Sequence, residues 1–470
     1  MKASKVGLLI LVLGFGATVE TAWQVRNHLG VGPWDWQVLT GGKFSGPSFS
    51  FEDTESQVVP EGTTVEVENA FGEVRATQGA PGEVKVVLRK VVFRRNEQEA
   101  GTFAERIHLQ RNLEGGALRI GTNRREVEAS QEGHRIGFET HLEVSLPPGT
   151  RLKVQNEHGA TDVSDVAEAN LVGSYESIRA ERVAGALEVA SRHGDVTVAD
   201  VKGALTLNAR HGGVEVRQVK GHATLDVEHG DVNANEVGGL ELKLRHGALT
   251  ADGIMGDLEF SGEHAGVHAI AVTGRVVVES SYQDVAVERV GGDVRLVTKH
   301  GKVQATDVAG AVYAESRYAD VELERIGGPV EVRVTHGGLQ AQGLEKGALV
   351  RTAGEDVIID GFRGVLDIQA ERGGVRLTPA GPLSEAMTVR VTHGGIELVV
   401  PDGSRFTLDA SAANGGEVVA NVAGFTTTQT GRLRVTGTMG GGGSTLSLSA
   451  EGGNVELRSA TTVTTENLPR

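Results

Sequence analysis

Eight histidines in this chain stand directly before a glycine: His158, His193, His211, His229, His246, His300, His336 and His393, with His264 in a His-Ala-Gly variant. From His193 the steps are 18, 18, 17 and 18 residues to His264, then 36 to His300 and 36 again to His336. Imidazole is a common metal ligand and exchanges protons near neutrality. In coils stacked one residue per layer, neighbouring imidazoles would lie about 4.8 Å apart along one edge. Two of them could hold Zn²⁺ or Ni²⁺, but a stable site wants three or four ligands with an ordered outer shell. Tyrosine fills the skipped registers, at Tyr175, Tyr282 and Tyr318. Tyrosine stacks well and ligates poorly. The column therefore reads as a ladder of stacked turn residues, with no metal and no cofactor assigned to it.

A second series follows the same turn: Asp195, Asp231, Asp284, Asp320 and Asp356. Most are two repeats apart, with glycine or Lys302 between, a spacing that keeps like charges from stacking directly. Paired acids for glycoside chemistry should lie roughly 5–9.5 Å apart in a groove with aromatic platforms. Two-repeat spacing nearly reaches that range, yet there is no tryptophan after Trp36. Calcium-binding nonapeptide repeats, a phosphate-binding loop, a dinucleotide fingerprint and a nucleophile elbow are all absent from the sequence. No catalytic residue is assigned. An enzyme acting on polysaccharide stands as the rival reading.

The elements that carry these residues show in the spacing. A second turn, out of phase with the first, reads Val/Ile-x-Gly, with glycines at 185, 203, 221, 239, 256, 274, 292, 310 and 328. Between turns the apolar residues alternate, as at Leu205 and Leu207, then Val214 and Val216. Alternation marks strands with one buried face. From Val216 to Val219 the parity breaks, which predicts a corner. Segments 174–185, 281–292 and 317–328 are near copies. An antiparallel meander could turn at each glycine, but one sheet of some two dozen strands would leave its apolar face open. A β-solenoid (β-helix) of coils of about 18 residues buries that face continuously. Residues 151–400 have room for roughly 13 or 14 coils, a rod of about 65 Å.

The flanks differ. Lys2 and Lys5 precede an apolar run, Val6 to Val19, followed by Trp23, Trp34 and Trp36. Fourteen residues suit a signal-peptide core and fall short of the roughly 20 needed to span a bilayer. Residues 1–22 are expected to be a signal peptide or signal-anchor, placing the rest outside the cytoplasm. Residues 23–57 read as a membrane-proximal tether. Residues 58–150 read as a β-rich N-terminal cap grafted on an early coil near Val65–Val74, with a short helix near Glu97–Arg106. Residues 401–458 read as C-terminal coils and cap, and 459–470 as a disordered tail.

Composition agrees with a narrow, repetitive interior. Glycine is 66 of 470 residues and aromatics are only 4%, against roughly 7% glycine in ordinary proteins. A formal charge of −16 with no large Lys/Arg cluster argues against nucleic acid as a partner. With no cysteine, disulfides, thiolate-bound zinc and a lipid-modified cysteine are excluded.

LPPGTRLKVQNEHG (146–159), the recurring x-G-x-V-x-V coils and GGGGSTLSLSAEGGNVEL (440–457) resemble the bacterial "putative adhesin" β-strand-repeat family, a domain of unknown function, over roughly residues 58–458. The resemblance implies the architecture and no catalytic residues. It also implies a cell-surface binding role or a link to envelope-stress sensing. The expectation is a non-enzymatic exported cell-envelope or surface protein, a scaffold or adhesin-like binding surface, membrane-held through its N-terminal segment. Its partner would be an envelope or surface protein or polysaccharide.

Overall fold

The computed structural model describes residues 47–130 and 137–460. Expectations for the N-terminal apolar run, the tryptophans and the last ten residues lie outside the described residues. Among the described residues thirty-seven strands, β1–β37 in chain order, carry the fold, with two short helices, α1 (Glu97–Ala104) and α2 (Arg124–Ala129). No helix among the described residues is long and apolar enough to cross a membrane.

The body is a two-sheet β-solenoid. In a typical coil, Leu187–His193 forms one strand, the His-Gly turn follows, and Val196–Val201 forms the other. Each strand pairs in parallel with its counterpart one coil away: Leu187 lies beside Leu205 and Val196 beside Val214. Parallel pairing at one-coil offset rules out the meander. Fourteen coils run from β8 (Arg151–His158) to β31 (Ile396–Val400). Inward residues alternate along each strand, and one Val/Leu/Ile/Ala cluster runs the whole length. Each fully buried Val, Leu or Ile side chain contributes about 1.5–3 kcal/mol.

The expected corner has a defined backbone. The fifth residue of the second strand is left-handed in coil after coil: Asp165, Arg182, Asp200, Gln218, Glu236, Ala271, Arg289, Asp307 and Arg325 have φ of 52–60°. Gly253, Gly343 and Gly361 occupy the same column at φ 69–72°. One left-handed residue shifts the side-chain parity, so Val214, Val216 and Val219 all face inward.

Glycines of the second turn have a different cause. A Cβ at Gly203, Gly221, Gly310 or Gly328 would come within 2.2–2.4 Å of the backbone of the glycine one coil away. Backbones meet there with no room for a side chain.

At both ends the order of coils in space departs from their order in the chain. β2 (Thr64–Phe71) and β3 (Val74–Gln78) form the early coil expected near Val65–Val74. It is sandwiched between β8 with β9 (Thr161–Val166) on one side and β6/β7 (Ala117–Thr122 and Phe138–Leu146) on the other. Outside β7 lie antiparallel strands β4 (Glu83–Phe93) and β1 (Ser48–Val58). The segment read as a tether therefore contains a strand from Ser48 onward. Helix α1 starts as the sequence suggests, with Asn96 Oδ1 accepting the Glu99 N–H at 2.9 Å.

The C-terminal end mirrors this. The last coil, β36 (Ser444–Glu451) and β37 (Val455–Ser459), lies between β30 (Met387–His393) with β31 on one side and β32/β33 (Phe406–Ala413 and Val418–Asn421) on the other. Beyond β32 come antiparallel β35 (Arg434–Met439) and β34 (Phe425–Thr430).

Candidate functional site

Among the described residues the ring column is continuous over twelve: Phe71, His158, Tyr175, His193, His211, His229, His246, His264, Tyr282, His300, Tyr318 and His336. Neighbouring centroids are 4.2–5.5 Å apart. Most pairs are stacked within 22°, while His229 is turned to 67° and 68° from its neighbours, its Nδ1 2.6 Å from the Glu228 carbonyl. Parallel rings about 5 Å apart aim their nitrogens side by side. A shared zinc would need each nitrogen at about 2.0–2.1 Å, closer together than the strand spacing holds the rings. Among the described residues no group of three or more His, Asp or Glu could hold a metal ion. His393 is not part of the ladder. Gly354 lies one coil beyond His336, and His393 pairs in register with Arg372.

Sequence reasoning missed how the ladder begins. Phe71 precedes Gly72 as each histidine precedes its glycine, and NAFG (69–72) parallels NEHG (156–159), so the signal was available. Arg124, only 4% exposed, lies over Phe71 at 4.6 Å and over Phe138 at 4.0 Å. A guanidinium on ring faces is a stabilising cation–π contact. Its Nη2 donates to the Phe138 carbonyl at 2.9 Å and its Nε to Glu128 at 2.8 Å. Burial lowers its pKa, and Glu128 opposes that shift.

The carboxylates have a uniform task. Oδ1 of Asp195 accepts the Gly213 N–H, Asp231 that of Ala248, Asp284 that of Lys302, Asp320 that of Gly338 and Asp356 that of Gly374, all at 2.7–3.0 Å. Each therefore ties its turn to the same turn one coil further on. Asp257 and Asp293 do the same in the second turn, for Arg275 and Ala311, both at 2.8 Å. This explains the alternation noted in the sequence. The capped residue occupies the position of the next Asp, so consecutive acids would bring like charges to about 4.8 Å. Replacing Asp284 by Ala should cost about 1 kcal/mol, and Asn, which keeps an acceptor oxygen, should cost less. Urea unfolding of the two variants measures the difference.

The left-handed column carries its own charge pairs. Arg182 grips Asp165 with two bonds at 2.7 and 2.8 Å, and Arg325 grips Asp307 in the same way. The Arg182 hydrogen bond holds the Asp165 carboxyl below its ordinary value. A depressed carboxyl stabilises the fold above the ordinary value of 3.8, and that contribution is lost as pH falls through the lower folded value. Arg182→Gln should move the Asp165 titration, followed by carboxyl NMR, back toward the ordinary range. It should also lower the melting temperature at neutral pH and not at pH well below that range.

One shallow groove of about 420 Å³ opens on the first sheet around Arg295, Tyr313, Glu331 and Leu349. The Arg295 guanidinium covers the Tyr313 ring at 4.4 Å, and the Tyr313 hydroxyl donates to Glu315 at 2.6 Å. Burial and Glu315 raise the phenol's pKa. Ring face and hydroxyl are thus both engaged within the rod.

The Toastrack DUF4097 family model matches residues 89–274 and 276–458. No curated protein matches the sequence. A solved "putative cell adhesion protein" from Clostridium sporogenes is 8% identical, with a TM-score of 0.14, covering 87% of this chain and 100% of that one. A "putative adhesin" from Parabacteroides distasonis is 11% identical, with a TM-score of 0.14, covering 68% and 97%. A "putative lipid binding protein" from the same species is 11% identical, with a TM-score of 0.15, covering 71% and 96%.

Proposed function

The chain belongs to the Toastrack DUF4097 family, and from that premise we propose that it is a non-enzymatic rod of the bacterial cell envelope. It acts as an exported scaffold or adhesin-like binding surface, held at a membrane by its N-terminal segment. One observation supports this above the others: the residues with chemical potential are spent on joining coil to coil. The imidazoles stack on rings above and below, and the aspartates cap amides of the next coil. Groups so used stiffen a rod, and they are not poised over a cleft. A stiff rod of fourteen coils presents long, regular outer faces, a form suited to holding an envelope protein or polysaccharide.

Export rests on Lys2, Lys5 and the apolar run from Val6 to Val19. An alkaline phosphatase reporter fused after Arg470, expressed in a bacterial host, should be active, because that enzyme matures only beyond the inner membrane. Inactivity of this fusion, with a cytoplasmic reporter active at the same position, would overturn the reading.

A further inference from the structure

The last coil of the chain is not the last coil of the rod. Residues 444–459 lie between two other coils, and both of their strands have a parallel neighbour on either side. Leu446 sits beside Met387 and Leu408, and Val455 beside Ile396 and Val418. Its inward residues Leu446, Leu448, Val455 and Leu457 are at most 1% exposed, burial that a coil at an open end would lack. By strand pairing the end module β32–β35 joins the rod only across this coil, while at its start Arg405 N–H donates to the Leu383 carbonyl at 2.8 Å and Ser404 Oγ accepts the Leu383 N–H at 2.9 Å. β32 pairs with β35 and β36, and β33 with β37, and neither has a register with β30 or β31.

The covalent link to this wedge is four glycines, Gly440–Gly443, between Met439 and Ser444. They pass around the start of β32, because β35 and β36 lie on opposite sides of it, with Met439 and Ser444 both in register with Phe406. Gly440, Gly441 and Gly442 have φ of 61–91°, conformations that glycine adopts without strain. The wedge is thus carried on a glycine hinge, and its two strands are what join the walls β30/β31 and β32/β33.

We infer that the slot between β30/β31 and β32/β33 is a binding site for a two-strand segment of this one sequence, residues 444–460, and that a second copy of the chain can fill it. Two rods then join at their C-terminal ends by reciprocal exchange, each keeping every strand pairing that the single rod has. In one molecule the tether holds its own wedge at high effective concentration, so self-insertion dominates until the hinge prevents it.

Two experiments on the full chain test this. In the first, a protease site is inserted between Gly441 and Gly442, and the folded protein is cut there. The terminal fragment should remain bound through gel filtration. A fluorescent peptide of residues 444–460 should then exchange into the cut protein and not into the uncut one, and a peptide carrying Leu446→Asp and Leu448→Asp should not enter. Failure of the native peptide to enter the cut protein, or equal entry of the double variant, would overturn the slot. In the second, Gly441 and Gly442 are deleted. The three remaining links span about 10 Å fully extended, against about 9.6 Å across two strand spacings, leaving no slack to clear β32. Light scattering should show a folded dimer of twice the mass. A shortened chain that stays monomeric, or that only aggregates, would overturn the assignment of a second copy.

Discussion

Removal of Gln283–Tyr318, 36 residues and two whole coils, should leave a soluble, folded rod shorter by roughly 10 Å. The deletion joins Tyr282 to Ala319 and gives SYADVELERIGG, one residue different from the RYADVELERIGG (317–328) that the chain already uses. Every contact at the new junction has a precedent. Tyr282 would stack on His336 as Tyr318 does now, at 5.2 Å. Asp320 would keep the Gly338 N–H. Val276 and Val278 would meet Val330 and Val332, all inward and buried. Removing nine residues, Gln283–Gly291, does the opposite. It deletes β19 (Val285–Val290), which lies between β17 (Leu258–Val272) and β21 (Val303–Val308), while leaving its partner strands in the other sheet. One sheet then has a rung the other lacks, and no shift of register repairs both. That variant should aggregate or be degraded. Equal solubility of the two, with unchanged β-sheet circular dichroism, would show that the coil is not the folding unit.

The second large effect is expected from one methyl group. Gly310→Ala places a Cβ 2.4 Å from the Gly292 carbonyl oxygen, and the atoms it meets include backbone that cannot rotate away. Two coils must separate locally to admit it, disturbing pairings on both sides. Overpacking of this kind costs about 1–3 kcal/mol, and the backbone obstacle puts Gly310→Ala at the upper end. Gly343→Asn is the control. Gly343 lies in the left-handed column at φ 71°, where a Cβ finds nothing closer than 3.5 Å, and asparagine tolerates that conformation. It should change stability by less than about 1 kcal/mol. Thermal unfolding of the pair distinguishes close approach from backbone angle as the reason for glycine. Similar losses at both positions would refute the distinction.

Much of the architecture is legible in the sequence because each contact in a solenoid joins a residue to one about 18 positions away. A demand made once is made in every coil. The His-Gly column, the second glycine column and the alternation of inward residues are printed at that interval, and so were readable without coordinates. The parity break before Val219 marked a corner, though its left-handed backbone was hidden because Arg, Asp, Gln, Glu and Ala share the position with glycine. The aspartates were visible as an alternating series. Their partners are backbone amides, which carry no signature in a sequence, so a structural cap looked like a candidate acid.

What the sequence by itself determined about this protein is the repeat: its length, its buried face, its two turns and the ring ladder along one edge. Only the tertiary structure decided the order of coils at the two ends. Strands β30, β32 and β36 all carry the same inward alternation, Met387/Val389/Val391, Phe406/Leu408/Ala410 and Leu446/Leu448/Ala450. By pattern alone any of them could lie next to any other. Their arrangement is set by which neighbours the connecting segments allow and by which stack leaves no apolar face open. That choice is made between residues up to 59 positions apart, such as Met387 and Leu446. The 18-residue period says nothing about it.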